Sequence, residues 1–280
     1  MGAVLIEGPK GCGKTTTAEQ QAGSVIYMDD PENGEQYKQL AQTNIRMLLT
    51  GQTPRLIDEW QDVPKLWDAV RFEVDHRSDD GQFILTGSAV PANRDEIRHT
   101  GTARYAWLTM RPMSLWESGD SNGGVSLGSL FLSQDAVGCE NSVDMERMAF
   151  LVCRGGWPKS ITKKSEKAAL AQAIEYYEAV TRADISRVDD VQRDEERAKR
   201  LMRSYSRHQG TQTSISVILD DVRVNESEEL SDTTISSYLS ALRKIFVIED
   251  MPAWNPNLRS KTAIRTSDTR YFVDSSIACA

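Results

Sequence analysis

Short apolar runs alternate along the first third of the chain with segments whose apolar residues return every three or four positions. Ala3-Val4-Leu5-Ile6, Ser24-Val25-Ile26-Tyr27-Met28, Arg55-Leu56-Ile57 and Gln82-Phe83-Ile84-Leu85 each read as a buried strand. Between them, Thr16 to Gln21 and Glu35 to Leu49 read as helices, the second with Leu40, Ile45, Leu48 and Leu49 as its apolar positions. Val63, Leu66, Trp67, Val70 and Val74 also recur at helical spacing. Strand and helix in alternation predict a parallel sheet with crossover helices. Such a sheet binds its ligand at the C-terminal ends of its strands. The polar residues Asp29-Asp30, Asp58-Glu59 and Thr86-Gly87-Ser88 gather at those ends.

The pattern then changes. Gly, Ser and Asn dominate from Ser118 to Ser129, which predicts a long loop. Helical periodicity resumes over Ser142–Val152, Ser165–Arg182 and Val191–His208. Two shorter helices follow at Ile215–Val222 and Ser231–Ile245, then strand-like pieces at Phe246–Ile248 and Tyr271–Val273. The expected division is an α/β core over 1–117, a linker over 118–140, a helical region over 141–208 and a C-terminal unit over 209–280.

The first strand runs into Gly8-Pro9-Lys10-Gly11-Cys12-Gly13-Lys14-Thr15, a full match to G-x-x-x-x-G-K-[ST]. Glycines let backbone N–H groups curl around phosphate oxygens, and the following helix N-terminus adds a favourable dipole. Gly8 to Thr16 would therefore hold ATP, with Lys14 on the β- and γ-phosphates and the Thr15 hydroxyl on Mg²⁺. Asp58 would hold the same Mg²⁺, and Glu59 would polarise the attacking water. Thr86 and Ser88 are placed to hydrogen-bond the γ-phosphate or that water, or else belong to a plain turn. Charge developing on the γ-phosphate invites an arginine, from this chain or from a second copy in a homo-oligomer. Arg98, Arg104 and Arg111 follow the fourth strand, and Arg104 is the one carried forward as catalytic. Cys12 fills a loop slot open to any residue and is given no redox role.

Composition narrows the class. The 280 residues are 39% hydrophobic and 26% charged, a globular balance, and the net charge of −8 does not suit a general nucleic-acid coat protein. Four cysteines without a C-x-x-C pair, beside three histidines, argue against structural zinc and suit a reducing, cytoplasmic setting. No apolar run approaches the ~20 residues that span a bilayer.

In the C-terminal unit, the two short helices could form a helix-turn-helix. Ser231 would cap the second helix, whose Ile235, Tyr238, Leu239 and Leu242 would pack inward. Ser236, Ser237, Ser240 and Arg243 would face a groove, and Arg259, Lys261, Arg265 and Arg270 make a mildly basic stretch. That surface would take duplex DNA through its phosphates, or a protein partner.

These residues together resemble bacterial and archaeal AAA-type ATPases that carry a C-terminal domain of unknown function with a winged-helix part. The likeness lies in Leu5-Ile6-Glu7-Gly8-Pro9-Lys10 with Gly13-Lys14-Thr15, in Leu56-Ile57-Asp58-Glu59-Trp60-Gln61 and in Phe83-Ile84-Leu85-Thr86-Gly87-Ser88. It continues in Met110-Arg111-Pro112-Met113-Ser114-Leu115 with Glu117, and in Gly155-Gly156-Trp157-Pro158. The resemblance implies a P-loop NTPase fold with a winged-helix-like C-terminal domain, ATP binding, hydrolysis and a polar sensor at Thr86 or Ser88. Members carry a helical lead before the first strand and continue past the position of Ala280, so a shortened form is expected. Beside an ATPase whose cycle moves the C-terminal region stand two alternatives: a nucleotide switch that barely hydrolyses, and an ATP-responsive DNA-binding regulator.

Overall fold

Five strands form a single parallel sheet: β1 (Ala3–Glu7), β2 (Ser24–Tyr27), β3 (Arg55–Asp58), β4 (Phe83–Gly87) and β5 (Tyr105–Thr109), in the order β2-β3-β4-β1-β5. The structure, a computed structural model, describes residues 1–77, 79–89, 97, 99–132, 138–140, 142–189, 191–223, 231–254 and 267–280. Four strands coincide with the apolar runs. The fifth, β5, falls on Tyr105-Ala106-Trp107-Leu108, an apolar run outside the expected strands, of which only Tyr105 is buried while Trp107 and Leu108 are exposed.

Helices α1 (Lys14–Glu19), α2 (Gly34–Asn44) and α3 (Lys65–His76) flank the sheet. Alternation along each strand divides the side chains between its faces. Leu5, Ile57 and Leu85 meet Leu66, Trp67 and Val70 of α3 on one face, while Ile6, Leu56 and Ile84 meet Ala18 of α1 on the other. The helix expected to run to Leu49 stops at Asn44, and Ile45–Leu49 continues as a 3-10 turn that still buries Leu48 and Leu49.

The rest is helical: α4 (Leu127–Leu132), α5 (Met145–Arg154), α6 (Pro158–Ile161), α7 (Glu166–Ala179), α8 (Ile185–Arg187), α9 (Glu195–Arg207), α10 (Ile215–Arg223), α11 (Asp232–Lys244) and α12 (Ser275–Cys279). Asp144, Ser165, Asp194 and Ser231 cap α5, α7, α9 and α11, each accepting a backbone N–H of the first turn. A π-helical turn at Val180–Asp184 joins α7 to α8, so the helix expected over 165–182 is longer and locally unwound. One hydrophobic cluster runs from Trp157 to Ile277 and joins Leu201, Met202 and Tyr205 of α9 to Ile218 of α10 and Leu239 of α11. The boundary expected at 208/209 therefore does not separate two cores.

Ile235, Tyr238, Leu239 and Leu242 do pack inward on α11. The strand-like pieces contribute only two antiparallel bridges among the described residues, Ile248 with Phe272 and Met251 with Thr269. Arg243 and Arg270 do not form an open basic surface. Each donates to Asp250 Oδ2 at 2.8 Å, Arg270 is buried, and the Tyr205 hydroxyl donates to the other oxygen of Asp250. These bonds and the two cationic partners hold Asp250 below the ordinary carboxylate range against its burial. Arg259, Lys261 and Arg265 lie outside the described residues. Among the described residues no helix is long and apolar enough to cross a membrane.

Leu85 lies at the centre of the sheet with no exposed surface. Leu85→Ala is expected to destabilise the chain by about 3 kcal/mol, read from the midpoint of urea unfolding at unchanged slope.

Candidate functional site: a phosphate loop facing two strand ends

Strand register assembles the site. Ile6 lies beside Thr86 and Glu7 beside Gly87, while Ile57 lies beside Leu85. The next residue of β3, Asp58, thus comes level with Thr86, and the loop leaving β1 begins level with Ser88.

That loop, Gly8 to Thr15, closes onto α1. Gly8 has φ +152°, and a Cβ there would sit 2.0 Å from the Met110 carbonyl oxygen, so no other residue fits. Met110 in turn donates its N–H to Glu7 O at 2.7 Å, so the chain leaving β5 shapes the loop's entry. Lys14 is buried, and its ammonium donates to Gly8 O at 2.9 Å and Pro9 O at 2.8 Å. Burial pulls its pKa below the ordinary lysine value, opposed by Cys12, Glu59 and Asp58. Thr16 is exposed on the first turn of α1. Cys12 is fully buried within the cluster that holds Trp157 and Val180, so the loop is seated in the helical region. Its place is a packing one, which the motif, open at that position, did not reveal.

Asp58 accepts from the Thr15 hydroxyl at 2.8 Å and from the Thr86 hydroxyl. Burial raises its pKa, the two hydroxyls oppose this, and the charges of Glu59 and Asp29 add to it. Thr86 is thereby tied to the carboxylate. Ser88 is tied instead to the neighbouring acid: its hydroxyl donates to Glu59 Oε2 at 2.9 Å. Gln61 Nε2 donates to the same oxygen, while Gln61 Oε1 is buried without a hydrogen-bond partner among the described residues. Glu59 itself has φ 53° and ψ 46°, left-handed backbone that a non-glycine residue adopts at a cost of about 1 kcal/mol or more. The conformation turns the side chain away from the course of β3. Gln61 belongs to the quoted Asp-Glu-x-Gln stretch, but its contact with Glu59 follows only from that turn.

A cleft of about 530 Å³ opens beside the loop. Lys10, Asp29, Glu59 and Ser88 line it from the sheet side, and Tyr176, Asp184 and Arg187 from the helical side. Lys10 Nζ bonds Asp184 Oδ1 across it at 2.7 Å. Arg187 is exposed there and forms no ion pair with a described residue. The sequence offered no sign of it, since it lies 99 positions from Ser88 and in no motif.

Of the three arginines expected to serve the site, Arg104 and Arg111 are not gathered there. Arg104 precedes β5, at the N-terminal edge of the sheet, where its carbonyl accepts from Ala3 and its side chain bonds Asp75 at 2.7 Å. It lies a full strand length from its own loop, roughly 16 Å. The unexpected β5 explains this: residues before and after that strand emerge at opposite ends of the sheet. Arg111 emerges at the loop end, but its guanidinium is held by Glu249 through Nε at 2.6 Å and through Nη2. Arg98 lies outside the described residues.

A glycine loop between a strand and a helix, with a buried lysine, a threonine and a facing aspartate on a parallel sheet, defines a P-loop nucleotide-binding domain. Residues 1–118 match the family model of the AAA domain, and residues 145–280 match that of a domain of unknown function, DUF8612. The chain thus carries an AAA-type P-loop domain over residues 1–118, followed by a segment that matches this second family. Among solved structures it is similar to the Walker-type ATPase PABY2304 of Pyrococcus abyssi, with 14% identity, TM-score 0.54, and 99% of this chain and 90% of that chain covered. That likeness extends the shared fold over both domains. It aligns more loosely with the ORC2 protein of Aeropyrum pernix in its ADPNP–ADP complexes, with 14% identity, TM-score 0.38, and 90% of this chain and 82% of that chain covered. No curated protein matches the chain.

The residues present fit Mg²⁺. Magnesium keeps several waters and takes one or two protein oxygens beside the substrate phosphates. The Thr15 hydroxyl and the Asp58 carboxylate, in mutual contact, are hard oxygen donors of that kind. Among the described residues no group of three or more His, Cys, Asp or Glu is placed to hold a metal by itself.

A raised Asp58 pKa means that the carboxylate is lost, as pH falls, at a higher pH than an ordinary aspartate would be. Thr86→Val removes a bond that holds the pKa down. The pH midpoint for loss of Mg²⁺-nucleotide binding is expected to move upward in this variant, read by fluorescent-nucleotide titration between pH 4 and pH 8.

Proposed function

We propose that the chain hydrolyses Mg²⁺-ATP to Mg²⁺-ADP and phosphate at this site. The observation that carries the reading is Glu59 held in left-handed backbone by Ser88 and Gln61, one residue beyond the aspartate that meets Thr15. A turn structure alone has no need of that strained arrangement. A hydrolytic site does, because the base must stand apart from the metal-facing carboxylate.

Lys14 and the loop N–H groups would bind and orient the β- and γ-phosphates. The metal, when bound to Thr15 and Asp58, would neutralise phosphate charge that Asp29, Asp58 and Glu59 otherwise repel. Glu59 would take a proton from the attacking water through Oε1, since both its donors occupy Oε2. The unpartnered Oε1 of Gln61 offers a second acceptor for the same water. The water oxygen bonds to the γ-phosphorus, the bond to the β–γ bridging oxygen breaks, and ADP leaves with that oxygen. Arg187, facing the cleft from the helical side, takes the place sought among Arg98, Arg104 and Arg111 and would meet the developing charge within the same chain. Because the helical region supplies this residue, nucleotide turnover would move that region against the sheet.

Glu59→Gln is expected to lower phosphate release about 100-fold or more while nucleotide affinity stays within a few-fold. Lys14→Ala should abolish binding in equilibrium titration. Tight binding by the wild-type chain with no phosphate release, with or without duplex DNA, would instead favour the non-hydrolysing switch. Arg187→Ala should reduce kcat about 100-fold with little change in the affinity for ADP. An unaltered kcat would return the search to an arginine from a second copy.

A further inference from the structure

We propose that Asp184 is a built-in competitor of the nucleotide's terminal phosphate, holding the helical region against the phosphate loop until a triphosphate displaces it. The inference rests on the nucleotide reading of the loop and concerns how that site is controlled.

Lys10 is part of the phosphate loop, and its ammonium is already bonded to a carboxylate at 2.7 Å. That carboxylate is brought 174 residues along the chain to the cleft that Glu59 and Ser88 line. Asp184 is mostly shielded, with 14% of its side chain exposed, whereas Lys10 retains 54%. The acid therefore sits in the cleft and the lysine reaches to it. It arrives there on the π-helical turn Val180–Asp184 between α7 and α8. Such π-helical turns are rare and occur frequently at functional sites. Val180 of the same turn is buried in the cluster that also takes Cys12, so the turn and the loop are packed as one body around the ion pair.

The consequence is electrostatic. A γ-phosphate entering beside Lys10 would bring two or more negative charges near the Asp184 carboxylate, and both cannot hold the lysine. Lys10 would exchange Asp184 for phosphate, and the released carboxylate would be repelled from the cleft with the turn that carries it. A diphosphate, which ends short of the γ-position, leaves the ion pair closed. The same contact would thus favour ADP over ATP in the resting chain and report the arrival of a triphosphate to residues 180–187.

Equilibrium titration of the full chain with Mg²⁺-ADP and with a slowly hydrolysed Mg²⁺-ATP analogue tests this. Asp184→Asn keeps the shape and removes the charge. It is expected to tighten the analogue about fivefold and to change ADP affinity less than twofold. Amides of 180–187 should exchange hydrogen faster in the wild-type chain with the analogue than with ADP, and equally fast with both in Asp184→Asn. An unchanged or weakened affinity of Asp184→Asn for the analogue, beside normal wild-type binding, would overturn the inference and leave the nucleotide reading intact. A wild-type chain that binds neither nucleotide would overturn both. Lys10→Met combined with Asp184→Asn supplies the control for folding: it should bind the analogue no more tightly than Lys10→Met alone, and a tightening there would count against the ion pair as the cause.

Discussion

A carboxylate carried into a buried position costs free energy unless donors come with it, and at Asp58 two donors do. One hydroxyl comes from Thr15 after β1 and the other from Thr86 at the end of β4. This small network pins three segments that are distant in sequence, and it can form only if β4 lies between β1 and β3. The strand order is therefore part of the chemistry. Were β1 beside β3, Thr86 would be displaced by a strand's width of roughly 5 Å and the aspartate would lose a partner. Because Asp58 is fixed, the next residue must turn sharply to present a second acid. Glu59 does so in left-handed backbone, braced by Ser88 from the same strand end that supplies Thr86.

Much of this was legible in the sequence, and the reasons differ from part to part. The phosphate loop is local: eight consecutive residues carry its geometry, and only Cys12 needs the rest of the chain to explain it. The three inner strands, β1, β3 and β4, announce themselves because burial on both faces demands unbroken apolar runs, and the edge strand β2 still carries Val25-Ile26. Asp58 and Glu59 follow, since a strand end next to such a loop is where a ligand must sit.

What could not be read is long-range or edge-dependent. The apolar run of β5 follows β4 with no helical periodicity between them, so the strand–helix alternation did not mark it, and without it Arg104 could not be assigned to the far end of the sheet. The partition of Thr86 to Asp58 and Ser88 to Glu59 depends on alternation at a strand end whose register only pairing fixes. Arg187 and Asp184 reach the cleft by a π-helical turn that no periodicity foretells. Arg243 and Arg270 looked like a nucleic-acid surface because their common partner, Asp250, is itself a single acid with no motif around it.

The burial of Cys12 among Trp157, Val180 and Ile185 bears on how the chain reaches its final form. The phosphate loop precedes the helical region along the chain, yet one of its side chains belongs to a core whose other buried members lie from Trp157 onward. A nascent sheet can pair its strands while that thiol still faces water. The loop is seated only when the helical region closes over it. Competence to hold a nucleotide would then be acquired late, with the helical region acting as the template on which the phosphate loop is finished.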